Sequence, residues 1–302
     1  ITTVTITATN SCGAPTCVFT VTVADNELPS ITCPADVTAN NTTGQCSANV
    51  TLTPPAYADN CGFNTMGNAL EFDGSNDRCQ APASVNALGL TSTATWEAWF
   101  YFDVVTGDQT LFQMNSNYNV DGMYINLYQG HIYYTQVTSG NLTQTRVSPP
   151  AAGAWTHIAV TKNGSSVAIY YNGVLQSPTN IGGTHGANLV ASTAQMNLGT
   201  QIFNGTPSQF FNGRMDEVRI WNVARTPAQI ATSYNSEIAP NTANLVYYAR
   251  FNQGIAGGNN TSPAVNTLDD LSSNNNDGNL LNFALNGGGS NWILSTAGAA
   301  PL

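Results

Sequence analysis

The N-terminal part of the chain alternates polar and apolar positions. Thr3-Val-Thr-Ile-Thr-Ala-Thr9 and Cys17-Val-Phe-Thr-Val-Thr-Val23 put every second residue on one face, the period of half-buried strands. Asn10-Ser-Cys-Gly-Ala-Pro15 supplies the turn between them. Further on, Trp155-Thr-His-Ile-Ala-Val160 alternates as a strand should, and Tyr170-Tyr-Asn-Gly173 is a strand entering an Asn-Gly hairpin turn. Leu245-Val-Tyr-Tyr-Ala-Arg-Phe251 predicts another strand. One short helix is expected at 226–234, with Thr226 as N-cap and Pro227 at the first helical position.

Composition strengthens the all-β reading. Only 8% of the 302 residues are charged, against 27 glycines and 9% aromatics, which suits short strands joined by polar turns and leaves no room for long amphipathic helices. The length predicts two or more units with a core that folds without staples. Seven Lys+Arg against 17 Asp+Glu give a net charge of −10, which repels phosphate backbones and excludes nucleic acid as a partner. No 18-residue apolar run occurs, so membrane insertion is not expected. The chain opens within a strand rather than a leader, which predicts a mature protein or a piece of a longer one.

All six cysteines lie within the first 79 residues. That asymmetry predicts a disulfide-stapled N-terminal part, an unstapled remainder and an oxidising, extracellular or cell-surface location. No CxxC or nearby histidine suggests zinc.

Asp25-Asn-Glu-Leu-Pro-Ser-Ile-Thr-Cys-Pro34, Gly44-Gln-Cys46 and Pro54-Pro-Ala-Tyr-Ala-Asp-Asn-Cys-Gly62 resemble the hyalin repeat (HYR), an immunoglobulin-like sandwich. Residues 1–25 look like the last two strands of one repeat and residues 29–62 like the first half of the next. Either the halves pack into one permuted sandwich, or each is completed by sequence elsewhere or by a neighbouring subunit. A lone hairpin is marginal in water, so residues 1–25 need some partner. Six cysteines allow fifteen connectivities; proximity favours Cys12–Cys17 and Cys46–Cys61, leaving Cys33–Cys79 to bolt this part to the region beyond residue 66.

Five segments then occur in order: Ala69-Leu-Glu-Phe-Asp-Gly-Ser-Asn-Asp77, Thr95-Trp-Glu-Ala-Trp-Phe-Tyr101, Gly153-Ala-Trp-Thr-His-Ile-Ala-Val-Thr161, Val167-Ala-Ile-Tyr-Tyr-Asn-Gly-Val174 and Gly213-Arg-Met-Asp-Glu-Val-Arg-Ile-Trp221. Together they resemble the laminin-G-like, concanavalin-A-like jelly roll of large bacterial cell-surface adhesins. The expected architecture is an HYR/Ig-like segment at 1–65 and a jelly-roll sandwich at 66–302, which the C-terminal stretch completes.

The resemblance implies a structural calcium where the last strand meets the turn after the first, held by Asp216 with Asp73 and Asn76 or Asp77. Oxygen ligands on a tight turn are what Ca²⁺ requires; the alternative is that these residues only cap their turn. Asp269, Asp270 and Asp277 with Asn274 to Asn276 read as a solvated turn. The resemblance also implies an aromatic concave face on which sugar rings stack while amides bond hydroxyls. Candidates are Trp99, Tyr101, Tyr124, Asn126 and Tyr128, with Gln129, Tyr133 and Tyr134 nearby, although aromatics at strand spacing are more often core. Hydrolase chemistry is disfavoured, because Glu97 stands alone and Asp216-Glu217 alternate to opposite faces. His131, His157 and His185 lie in no nucleophile motif. The expected role is non-catalytic adhesion to a glycan or surface protein. The alternative is a filament subunit completed by strand exchange between copies of itself.

Overall fold

The computed structural model describes residues 67–297 throughout, with the backbone of four short strands nearer the N-terminus and residues 36 and 38. The chain divides into two units, Ile1–Phe63 and Asn64–Leu302. In the first, β1 (Thr2–Thr7) pairs antiparallel with β2 (Thr16–Val21), and β3 (Ser30–Thr32) with β4 (Ala56–Ala58). The expected Cys12–Cys17 and Cys46–Cys61 links lie outside the residues whose side chains are described.

The second unit contains β5 (Asn68–Asp73), β6 (Arg78–Ala81), β7 (Thr93–Phe102), β8 (Gln109–Gln113), β9 (Gly122–Tyr128), β10 (His131–Thr138), β11 (Asn141–Val147) and β12 (Trp155–Asn163). Next come β13 (Ser166–Tyr171), β14 (Val174–Leu175), β15 (Thr179–Ile181), β16 (Met196–Leu198), β17 (Gln201–Phe203), β18 (Thr206–Ser208) and β19 (Asn212–Trp221). After α1 (Pro227–Ser233) come β20 (Leu245–Ala249), β21 (Thr267–Leu268), β22 (Gly278–Leu281) and β23 (Trp292–Leu294). A nine-stranded sheet runs β15-β11-β10-β9-β8-β16-β6-β22-β21, and an eight-stranded sheet runs β14-β13-β12-β7-β19-β5-β23 with β20 on β19.

Alternation builds the core between these sheets. Trp96, Ala98, Phe100 and Phe102 of β7 share one buried cluster with Met123, Ile125 and Leu127 of β9, so the residues between them face outward. Phe100 meets Phe112 and Phe211 edge to face, the geometry their quadrupoles favour. The first and last motif strands lie side by side, with Leu70 opposite Met215 and Asp73 opposite Asn212. Gly213 has φ 149°, and a Cβ there would come within 2.0 Å of the Tyr101 carbonyl oxygen, so only glycine admits this approach. The C-terminal stretch extends both sheets, β22 pairing with β6 and β23 with β5.

Local signals are met where the chain closes on itself. Asn172 and Gly173 both have positive φ and close the β13–β14 hairpin, as a type I′ turn requires. Thr226 caps α1 by accepting from Gln229 N while the Gln229 side chain returns to the cap, a capping box. Among the described residues no helix is long and apolar enough to cross a membrane.

Two expectations fail within this unit. Cys79 is free and wholly buried in the sandwich core, where burial pushes its thiol up to about 12; it alternates inward with Ala81, and the partner expected for it, Cys33, lies outside the described residues. Asp270 is buried rather than solvated, accepting from Tyr248 N and Ser272 N through Oδ1 and from Asn276 N through Oδ2.

Candidate ligand-binding cleft

On the outer face of the nine-stranded sheet, β9 presents Tyr124, Asn126 and Tyr128, the positions that alternate with its three core residues. They floor a cleft of about 340 Å³, at the small end of the ~300–1,000 Å³ typical of ligand sites. Two further aromatics, Tyr118 and Phe203, and three further amides, Gln144, Gln201 and Gln209, complete most of its lining.

The rim is built from two excursions held against the sheet. Gln113 on β8 brackets the β17 backbone, accepting from Ile202 N at 2.6 Å and donating to Ile202 O at 3.2 Å. Thr110 donates to Gln209 Oε1 at 3.3 Å. Asn204 and Gly205 close the β17–β18 hairpin with φ 48° and 78°, again the type I′ geometry. Asn117 in the β8–β9 loop donates to Asn204 Oδ1 at 2.7 Å, tying loop to hairpin. Above this tie Tyr118 and Phe203 stack at 5.1 Å and 26°, yet remain 38% and 43% exposed.

Polar groups at the floor are unevenly satisfied. Gln144 donates to Thr135 Oγ1 at 3.0 Å. Asn126 is only 4% exposed, and its Oδ1 has no hydrogen-bond partner among the described residues, a costly state for a buried acceptor. Burial raises the Tyr124 pKa, so the hydroxyl stays protonated at neutral pH.

Trp99 and Tyr101 are not part of this cleft. They project from β7 on the outer face of the other sheet, and Trp99 is covered by α1, donating from Nε1 to Tyr234 O at 2.8 Å. Tyr101 stacks under the Arg214 guanidinium at 4.5 Å and meets Trp155 edge to face. Tyr134 faces the core, while Tyr133 holds Arg146 through its hydroxyl at 2.9 Å.

The same covered face contains the acidic residues considered for hydrolysis. Glu97 is fully buried and accepts from Arg225 Nη1 at 2.8 Å and Trp221 Nε1 at 2.9 Å. A bulge between Asp216 and Arg219 gives Glu217 φ 54° and turns it outward beside Arg219 instead of inward. Glu217 then accepts from Arg219 and from the Tyr248 hydroxyl. These carboxylates hold α1 and its following loop to the sheet.

The calcium set does not assemble. Asp73 Oδ1 caps its own turn, accepting from Ser75 N and Asn76 N. Both Asp77 oxygens are taken, one by Asp73 N and one by Ser290 Oγ, and burial pushes its pKa up to about 6. Asn76 lends only its carbonyl, to Asn282. Asp216 lies four residues beyond the Asn212–Asp73 pairing, ~13 Å along the strand, where it accepts from Ser295; burial, then Glu217, raises its pKa well above the carboxylate range. These residues do not fit a shared ion, and no group of three acidic, histidine or cysteine residues suited to a metal occurs among the described residues. Chelation is therefore expected to leave the melting temperature unchanged; a drop would restore the calcium reading.

Sequence reasoning reached the floor of the cleft and missed its rim. The signal available was Phe203-Asn204-Gly205, an aromatic beside a hairpin-turn dipeptide. Tyr118 carried none, because only the fold brings its loop to that hairpin.

Residues 73–231 match the Concanavalin A-like lectin/glucanases superfamily, and the chain belongs to it. No curated protein matches the sequence. Among solved structures, a protein of Bacteroides ovatus described as a candidate carbohydrate binding protein is similar at TM-score 0.55 and 19% identity, over 79% of this chain and 62% of that one. The chain thus spans less than two thirds of that protein, and the likeness is one of fold. More distant are the CBM40 of a Ruminococcus gnavus sialidase bound to sialyllactose (TM-score 0.45, 11% identity, 56% of this chain and 98% of that) and domain 4 of a Geobacillus stearothermophilus arabinanase with arabinotriose (0.42, 22%, 68% and 86%).

Proposed function

We propose that the jelly-roll unit is a non-catalytic glycan-binding module, displayed outside the cell and using the cleft on the nine-stranded sheet. The observation that carries this reading is the convergence of Tyr118, Tyr124, Tyr128 and Phe203 with Asn126, Gln144, Gln201 and Gln209 in one cleft. Aromatic faces receive sugar C–H faces, and amides both donate to and accept from hydroxyls. The lining offers no carboxylate, whereas glycoside hydrolases ordinarily use a pair of them. Glu97 and Glu217, the acidic residues that could have served, are committed to arginines on the opposite sheet. The role described for the Bacteroides ovatus protein agrees with this reading, and a cysteine-rich N-terminal part suits an oxidising exterior.

Binding to an oligosaccharide panel, followed by calorimetry on the best ligand, tests the reading. Phe203→Ala is expected to weaken binding roughly tenfold, on the order of 1.4 kcal/mol for one lost stacking face. Affinity unchanged in both Phe203→Ala and Tyr128→Ala would remove the cleft as the site, and no binding to any glycan would overturn the module itself.

A further inference from the structure

We propose that this cleft selects neutral oligosaccharides over acidic ones, and that Asn126 is the residue that reads a ligand hydroxyl. The proposal rests on the glycan-binding reading and narrows it to a substrate class. It has two independent supports.

The first is the orphaned acceptor. Asn126 is held on a central strand, with Thr110 of β8 and Tyr133 of β10 as its register partners. Its Oδ1 is buried, lacks a partner among the described residues and belongs to a side chain lining the cleft. An acceptor in that state calls for a donor, and a buried polar group left unpaired is expensive. A sugar hydroxyl can donate to it. An ionised carboxylate or sulfate has only lone pairs to offer and would set oxygen against oxygen.

The second is charge. Tyrosine, phenylalanine, leucine, asparagine and glutamine make up the whole lining, so an anionic sugar entering it would shed water without meeting a counter-charge. The protein's net charge of −10 adds repulsion at longer range. Arg78 of β6 alternates outward on this sheet face three strands from β9, and the cation nearer the cleft is Arg146, two residues along β11 from Gln144. It lies outside the lining and donates to the Tyr133 hydroxyl. The exposed Tyr118–Phe203 stack at the rim gives a ring next to the one at Asn126 an apolar face to rest on, which favours a short chain over a monosaccharide.

The test is titration calorimetry on the whole chain with matched pairs: a lactose-based trisaccharide with and without a sialic acid, and a xylo-oligosaccharide with and without a glucuronate branch. The expected result is at least tenfold tighter binding of the neutral member in whichever pair binds. Acidic members binding as well or better, with the gain abolished by Arg146→Ala, would overturn neutral selection while leaving glycan binding intact. Silence across both pairs and a wider neutral panel would remove the glycan reading and this proposal together. Asn126→Leu, which keeps the side chain's bulk, is expected to lose at least tenfold in affinity with its melting temperature held. Unchanged affinity would overturn the role of Asn126.

Discussion

Arg219→Met is expected to destabilise the jelly-roll unit by about 3–5 kcal/mol, because it leaves a buried carboxylate without its cation. Arg219 is fully buried at the bulge of β19. Its Nε donates to Glu217 Oε2 at 3.2 Å, its Nη1 donates to Ser233 O at 3.0 Å, and its Nη2 reaches both Glu217 and Ser236 O. Glu97 lies 3.8 Å away. Burial opposes the charge, but Glu217 and Glu97 outweigh it and hold the guanidinium pKa above its ordinary value. One side chain thus joins the sheet to the end of α1 and the loop beyond it. Methionine fills similar volume, so the cost expected is the orphaned Glu217 rather than a void. Denaturant midpoints at constant slope measure it. Pairing the change with Glu217→Gln should recover a large part of the loss, since removing both charges spares the desolvation penalty. A loss below about 1 kcal/mol, typical of exposed pairs, would show that water reaches this site.

This network also marks where sequence reasoning stops. Alternation along β7 separates Trp96, Ala98 and Phe100 from Glu97, Trp99 and Tyr101, and the structure keeps that division. A period of two cannot say which outer face stays open to ligands. Trp99 is closed off by Tyr234, 135 residues later, and that contact has no local signature. Tyr124, Asn126 and Tyr128 were legible as one face of one strand. Their conversion into a cleft depends on a loop and a hairpin 87 residues apart, tied by Asn117 and Asn204. The Glu217 bulge was likewise hidden, because Asp216-Glu217 reads as ordinary alternation until an inserted residue changes its phase. Turn chemistry carried further: Asn172-Gly173 and Thr226-Pro227 perform locally what their side chains dictate.

Acid is expected to unfold this unit partly through His157. The ring is buried, and neither nitrogen has a hydrogen-bond partner among the described residues. Burial pushes its pKa down to about 4; Glu97 at 4.0 Å pulls the other way, while Arg219 and Arg225 push with the burial. Trp99 and Tyr234 pack their rings against it. In the unfolded chain the same imidazole titrates near 6.5. Between about 4 and 6.5 the unfolded state therefore binds more protons, and stability rises with pH across that window. The contribution is fully present above about 6.5 and is lost as pH falls toward 4, up to about 3 kcal/mol. His185, pushed down to about 4 by burial and Lys162, acts in the same direction. Asp77, raised to about 6 by burial, acts oppositely, gaining stability as pH falls, so the total profile mixes signs. The His157 share is isolated by comparing the protein with His157→Phe from pH 8 to pH 4. Their stability difference should be flat above pH 7 and move steadily in favour of the variant below it. A flat difference throughout would mean that His157 titrates in the folded protein as it does in the unfolded chain, and a drift in favour of the unsubstituted protein as pH falls would mean that it keeps its proton, paired with Glu97.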